Sequence, residues 1–266
     1  MITEDHTLQI MSFNIRCDTG KNHSGDPDYW PEREPLVRQL LTEAQPDILG
    51  VQELMTCQIP AVQQGLSSRY AYIGQSRDNT NKGEMSAIFY NTERLVPRYW
   101  NQLWLSDTPR VPASITWGND CTRIVTWGTF LDKKTGREMT VSNTHFDHIS
   151  EYSRIRSAEM LVSLFGGCDP VVLMGDFNAD ADPHNKEYDV LTSVFRDSSA
   201  VTEHHSTPDW GTFSDYHEPS MDDPRIDWIL SSQDVAVRDT KTYTFNVDGH
   251  YPSDHLPISA RVELVR

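Results

Sequence analysis

The chain has no run of basic residues and few cations altogether: 23 Lys and Arg stand against 39 Asp and Glu, a formal net charge of −16 over 266 residues. Nonspecific binding to nucleic acid depends on Lys and Arg displacing counterions from phosphates. This balance therefore disfavours a long duplex as ligand and leaves nucleic acid possible only through a local basic patch. No apolar stretch approaches the roughly 20 residues needed to span a bilayer. The amino terminus, Met1-Ile2-Thr3-Glu4-Asp5-His6, has neither the basic start nor the apolar run of a secretory leader. The four cysteines, Cys17, Cys57, Cys121 and Cys168, show no Cys-x-x-Cys spacing, which argues against a thiolate zinc cage or a redox pair. Internal repeats, low-complexity segments and flexible linkers are also missing. The expectation is one domain over residues 1–266, monomeric and cytoplasmic, with no membrane span.

What is present is a succession of short apolar runs, several of them ending at a polar, chemically capable residue. Leu8 to Ile15 reads as a strand, followed by a long polar loop to Tyr29-Trp30-Pro31. From Glu32 the apolar residues Val37, Leu40, Leu41 and Ala44 recur at helical spacing, with Pro31 suited to the first turn and Pro46 as a stop. A strand over Asp47–Gln52 ends at Glu53, a second helix covers Gln58–Leu66, and another strand runs from Tyr70 to Gly74, so two β-α-β steps are visible. The middle is rich in strands: Met85–Tyr90, Arg94–Leu103, Arg123–Leu131 and Glu138–Asn143, with a hairpin turn at Asp132–Gly136. Ser150 can cap a helix whose stripe is Ile155, Ala158, Val162 and Phe165, closed by Gly166-Gly167. Val171–Met174, apolar throughout, suits a strand buried on both faces that delivers Asp176 and Asn178. Strands at Ile226–Leu230, Val235–Phe245 and Leu256–Val262 complete the chain. Interspersed helices and a majority of strands imply a four-layer α/β/β/α sandwich of two packed, mainly antiparallel sheets.

Strand ends beside loops are where sheets present side chains to a shared cleft. Hydrolysing a phosphate ester requires a hard cation, a water that can lose a proton and a group that stabilises the leaving oxygen. Glu53 and Asp254, with Asn14 and Asp176, are oxygen donors of the kind that hold Mg2+ or Mn2+; a zinc site would call for more histidine or thiolate. Each residue has a bland reading as well. Asn14 alone could cap a strand, Glu53 could favour a helix start, Asp176 and Asn178 could form an Asx turn, and His145, His255 and Asp227 could be satisfied buried polar groups.

The motifs Ser12-Phe13-Asn14, Gln52-Glu53, Asn143-Thr144-His145, Gly175-Asp176-Phe177-Asn178, Ile226-Asp227-Trp228-Ile229 and Ser253-Asp254-His255 resemble, in order, those of the endonuclease/exonuclease/phosphatase superfamily with the deoxyribonuclease-I-like fold. The resemblance extends from residue 8 to residue 262, and six motifs in the right order make the bland readings hard to sustain together. It implies divalent-metal phosphoesterase chemistry. Glu53 resembles the principal metal carboxylate, Asn14 its neighbour, and Asp254 the completion of the set. Asp176 resembles the residue that orients or deprotonates the attacking water, and Asn178 the amide donor to the phosphate. Asp227 and His255 resemble an orienting pair, and His145 the histidine that stabilises or protonates the leaving oxygen. Whether Asp176 or His255 takes the proton stays open.

Around this set stand weaker candidates. Arg16 occupies a position where some nuclease branches carry an acid, which weakens a repair-nuclease reading; it is expected to pair with Asp18 ahead of reaching substrate. Arg123 could clamp a phosphate or form a buried ion pair. Asp147, His148 and Glu84 could line the mouth or serve only local turns. Trp117 and Trp210, each beside Gly in a polar loop, are the candidates for a substrate rim. The leading reading is a phosphoesterase acting on a small or short phosphorylated substrate. A nuclease is the alternative, and a catalytically silent binding domain is weaker still, since Asp176 and His255 are both present.

Overall fold

A computed structural model describes residues 6–80, 82–168 and 170–265; the residues Met1-Ile2-Thr3-Glu4-Asp5, read above for a leader, lie outside them. Two six-stranded sheets form the centre. The first orders β11 (Val235–Thr242), β12 (Ile258–Leu264), β1 (Leu8–Asn14), β2 (Ile48–Leu54), β4 (Met85–Asn91) and β3 (Tyr70–Ile73). The second orders β5 (Leu95–Trp104), β6 (Ile124–Asp132), β7 (Arg137–His145), β8 (Val171–Asp176), β10 (Asp227–Ser231) and β9 (Arg196–Asp197). Each sheet has one parallel pair, β1 with β2 and β7 with β8, and is otherwise antiparallel. Of the two β-α-β steps, the first closes as a parallel pair, whereas β4 inserts between β2 and β3 in the second.

Side-chain alternation builds three apolar layers. Leu8 and Ile10 of β1, Ile48 of β2, Val141 of β7, and Val172 and Met174 of β8 pack between the sheets. Met11, Phe13, Leu49 and Val51 pack under α1 (Trp30–Ala44) and α2 (Ile59–Leu66), while Leu173, Trp228 and Leu230 pack under α3 (Glu151–Phe165) and α4 (Lys186–Thr192). The layer order is therefore α/β/β/α. Asn143 ties the sheets together across the core: its Nδ2 donates to the Val51 and Ala87 carbonyls at 3.0 and 2.8 Å, and its Oδ1 accepts from Gln52 Nε2 at 2.6 Å.

Several boundaries differ from the sequence reading for local reasons. Ser150 does cap α3, accepting from Ser153 N at 3.1 Å, but the buried stripe is Ser153, Ser157, Ala158, Leu161 and Phe165; Ile155 and Val162 lie beside it, and Gly166 keeps a right-handed φ of −62°. β7 extends to His145, two residues past the expected end. β12 starts at Ile258, because Leu256 N is taken by the Thr212 carbonyl. The short α4, β9 and α5 (Ser198–Val201) have too few residues to show periodicity and were not anticipated. No helix among the described residues is long and apolar enough to cross a membrane.

Candidate active site

The same alternation decides which side chains reach the cleft. Asn14 follows Ile10 and Ser12 on the inter-sheet face of β1, Asp176 follows Val172 and Met174 on β8, and His145 follows Val141 and Asn143 on β7. β10 runs the other way, so its first residue, Asp227, meets them. The ends converge: Asn14 Nδ2 donates to Asp176 Oδ2 at 2.9 Å across the two sheets.

Glu53 breaks the alternation. Counting from Ile48 it would face the helices, as Leu49 and Val51 do. Instead the pairing of β2 with β4 shifts register between Val51 and Leu54, and Glu53 takes a left-handed φ of 58°. Its carboxylate is thereby re-aimed into the cleft, where Oε1 accepts from Asn14 Nδ2 at 3.1 Å and Oε2 from Cys17 N at 2.9 Å. Arg16 and Asn178 also have left-handed φ values, 58° and 49°, so three of the expected site residues sit in a sparsely populated backbone region. Gly175, just before Asp176, tolerates no side chain: a Cβ there would stand 2.2 Å from the Thr144 carbonyl oxygen of the neighbouring strand.

Two electrostatic environments share the cleft. On one side, burial pushes Glu53 up, but the Cys17 N–H, the Arg16 guanidinium and Asn14 outweigh it and hold Glu53 below the usual carboxylate range, so it stays ionised. Burial, and then the charge of Glu53, raise Asp254. The Arg16 guanidinium lies 3.9 Å from Glu53 Oε2 and 3.7 Å from Asp254 Oδ2. Two carboxylates that repel one another form a hard-oxygen donor pair suited to a divalent cation, with Asn14 beside them, its Nδ2 toward Glu53 and its Oδ1 accepting from Arg16 N at 3.0 Å. On the other side, His255 Nδ1 is 2.8 Å from Asp227 Oδ2, which leaves Nε2 facing Asp176 Oδ2 at 3.7 Å and Asn14 Nδ2 at 3.5 Å. Burial alone would depress His255, but the Asp227 and Asp176 charges raise it. Burial, with Asp227, raises Asp176. His145 Nε2 is 2.9 Å from Asn178 Nδ2 and 3.3 Å from Asp176 Oδ2; burial, then Arg123 and Arg77, depress its pKa and favour the neutral ring.

Asp176, Asp227 and His255 could also converge on an ion, as could Cys121, Asp147 and His148. The second group already holds a cation: Arg123 Nη2 is 3.0 Å from His148 Nδ1, and Arg123 Nε is 3.6 Å from Asp147 Oδ2.

Of the weaker candidates, Arg16 and Arg123 line the cleft with Glu53, His145, Asp176, Asn178, Asp254 and His255. Arg16 does not pair with Asp18. It makes two bonds to Asp28, at 3.0 and 2.9 Å, and Tyr216 Oη donates to the same carboxylate at 2.6 Å. Trp117 is not a rim residue: it is 5 % exposed, packs in the core under α3, and carries the Arg156 guanidinium 5.4 Å from its ring centroid. Trp210 is half-buried and does not line the cleft, its backbone being turned back by a bond from its N to the Pro208 carbonyl. Asp147 is buried under the start of α3, accepting from Ile149 N and Ser150 N, while His148 reaches the cleft. Arg77 and Phe213 were not singled out from sequence. Both line the cleft, and the Phe213 ring lies 5.0 Å from that of His255. Neither sits in a motif, so only the folding of their loops brings them in.

Sheets stacked between helix layers, with acids, amides and imidazoles gathered at strand ends, define a metal-dependent hydrolase of phosphoester bonds. The profile of the Endonuclease/Exonuclease/phosphatase family matches residues 11–255, and the chain belongs to that family. Among solved structures it is similar to an endonuclease/exonuclease/phosphatase from Bacteroides vulgatus, with 31 % identity and a TM-score of 0.88 over 97 % of this chain and 99 % of that one. It is also similar to a mannosyl-6-phosphatase from Bacteroides thetaiotaomicron, with 34 % identity and a TM-score of 0.86 over 96 % and 99 %. An uncharacterized protein of Acanthamoeba polyphaga mimivirus is 27 % identical over 247 residues, 86 % of this chain and 90 % of that protein.

Proposed function

We propose that residues 1–266 form a single magnesium- or manganese-dependent catalytic domain that hydrolyses the phosphate ester of a small phosphorylated substrate, a sugar phosphate foremost. The observation that carries this reading is the convergence of Glu53 and Asp254 opposite the Asp176–His255–Asp227 relay, across a hydrogen bond from Asn14 to Asp176. The choice of substrate is supported by the similarity to a mannosyl-6-phosphatase and by the net charge.

Glu53 and Asp254, with Asn14 beside them, would hold a divalent cation, which would supply charge neutralisation at the phosphoryl oxygens. The protein's own residues do the rest. Asp176 is fixed by donors from Asn14 Nδ2 and Asn178 N, and it accepts the proton of the attacking water with the His255 ring beside it. Asp227 holds the His255 ring through Nδ1 and favours its charged form beside Asp176. Asn178 offers its amide to the phosphoryl group, Arg123 adds a guanidinium from the cleft wall, and neutral His145 hydrogen-bonds the leaving oxygen.

The test is phosphate release from a panel of sugar phosphates, p-nitrophenyl phosphate, bis-p-nitrophenyl phosphate and short oligonucleotides, in Mn2+ or Mg2+ and again in EDTA. A sugar phosphate should lead the panel and chelation should stop turnover; equal rates with and without EDTA would remove the metal from the reading. A nuclease remains the second reading, because Arg16, Arg77 and Arg123 all line the cleft despite the acidic surface. Oligonucleotides turned over faster than sugar phosphates, with steep salt dependence, would favour it.

A further inference from the structure

One charged pair on the cleft wall has no part in the chemistry above. Arg77 Nη2 donates to Glu84 Oε1 at 2.7 Å, and the two side chains keep 16 % and 19 % of their surface. Both line the same cleft as His145 and Asp176. The pair is mounted firmly. Arg77 N donates to the Glu84 carbonyl at 2.9 Å, Trp104 Nε1 donates to the Arg77 carbonyl at 2.6 Å, and Asp78 ties the segment between them by accepting from Ser76 Oγ and from Thr80 N and Oγ1. Among the described residues, Glu84 Oε2 and the remaining Arg77 guanidinium nitrogens make no hydrogen bond, so an acceptor and donors stay open side by side. The pair also lies within electrostatic reach of the reacting groups: the charge of Arg77 is felt at His145, and that of Glu53 at Glu84.

A salt bridge that only closed the loop would gain little from keeping an edge open to the cleft. A fixed acceptor beside fixed donors matches neighbouring hydroxyls, each of which can donate and accept at once. We propose that Arg77 and Glu84 form the subsite that grips the hydroxyls of a polyhydroxylated leaving group while its phosphate lies at Asp176, Asn178 and Arg123. This inference rests on the sugar-phosphate reading of the site and deepens it.

The experiment compares a hexose 6-phosphate with p-nitrophenyl phosphate, which carries no hydroxyls, at saturating Mn2+, in the wild type, Glu84→Gln, Arg77→Gln and the double variant. The ratio of kcat/KM for the sugar phosphate over that for p-nitrophenyl phosphate should fall about tenfold in each single variant, mainly through KM, because a hydrogen bond to a charged partner is lost. Calorimetric titration of EDTA-treated protein with the hexose phosphate should show the same weakening. An unchanged ratio in all three variants, or an equal fall on both substrates, overturns the subsite. A wild type that shows no preference for the sugar phosphate overturns the proposed function and the subsite with it. A wild-type preference that stays undiminished in every variant removes the subsite alone.

Discussion

The two sheets meet the cleft with the same construction and deliver different chemistry. Each has one parallel pair whose strand ends point at the site. The first sheet contributes Asn14 and Glu53, and the second His145 and Asp176 with Asn178 and Asp227 beside them. To do so, the first sheet bends a strand, using a register shift and a left-handed Glu53 to turn a helix-facing position inward. The second keeps the β7–β8 ladder regular at the site and removes a side chain at Gly175 so that two backbones can approach. Their environments differ accordingly. The Glu53 and Asp254 side chains retain 13 % and 9 % exposure, whereas Asp176 and Asp227 retain 1 % and 2 %. On the proposed reading, the pair that would exchange an ion with solvent stays partly open, and the pair that would hold a proton is dry, where burial and neighbouring charge set its protonation.

The largest effects should separate these halves. Asp176→Asn should lower kcat by about 10²–10⁴-fold, the range of general acid–base contributions, without changing the Mn2+ concentration needed for half-maximal rate. Glu53→Gln should raise that concentration. Mn2+ titrations of the two variants make the comparison, and if both shift half-saturation alike, the division between the sheets is void. Next comes Gly175→Ala. Its Cβ would meet a backbone oxygen that cannot swing away, so urea melts should show a loss of at least about 1–3 kcal/mol. Gly50→Ala, in the first sheet, meets the flexible end of Met174 at 2.6 Å and should cost less.

Much of this was legible in the chain because the determinants are local. Apolar runs of the right length ended at Asn14, Glu53 and Asp176, and alternation along β1, β7 and β8 carries Asn14, His145 and Asp176 to the inter-sheet face. The layer order followed from interspersed helices. Long-range pairing was not legible. Arg16 finds Asp28 and Tyr216 where the sequence offered Asp18 nearby, because the loop folds back on itself. Trp117 looked like a rim residue from its polar flanks but is drawn into the core by its own apolar area. Arg77 reaches the cleft through a turn organised by Asp78, with no periodicity or motif to mark it.

The smallest expected effects concern the latch that holds Arg16 back at Asp28, beside the Glu53 and Asp254 carboxylates. Asp28 binds Arg16 through both oxygens and accepts from Tyr216, so Asp28→Asn should free the guanidinium toward Glu53 and Asp254, where it competes with the cation. A several-fold rise in Mn2+ half-saturation, below that of Glu53→Gln, is the expected outcome; no rise would show that Arg16 is held without Asp28. The latch should also be visible in stability. Burial raises the Asp28 carboxyl, but Arg16 and Tyr216 outweigh it and hold it below its ordinary value of 3.8. A carboxylate depressed in the folded state contributes its full stability above that ordinary value and loses it as pH falls through the folded-state value. The Tm gap between wild type and Asp28→Asn should therefore be constant near neutrality and narrow below about pH 4, where the unfolded chain's carboxyl takes up its proton before the folded one does. A gap that widens in acid would mean that Asp28 stabilises the fold through its neutral form, and Arg16 would then need another anchor.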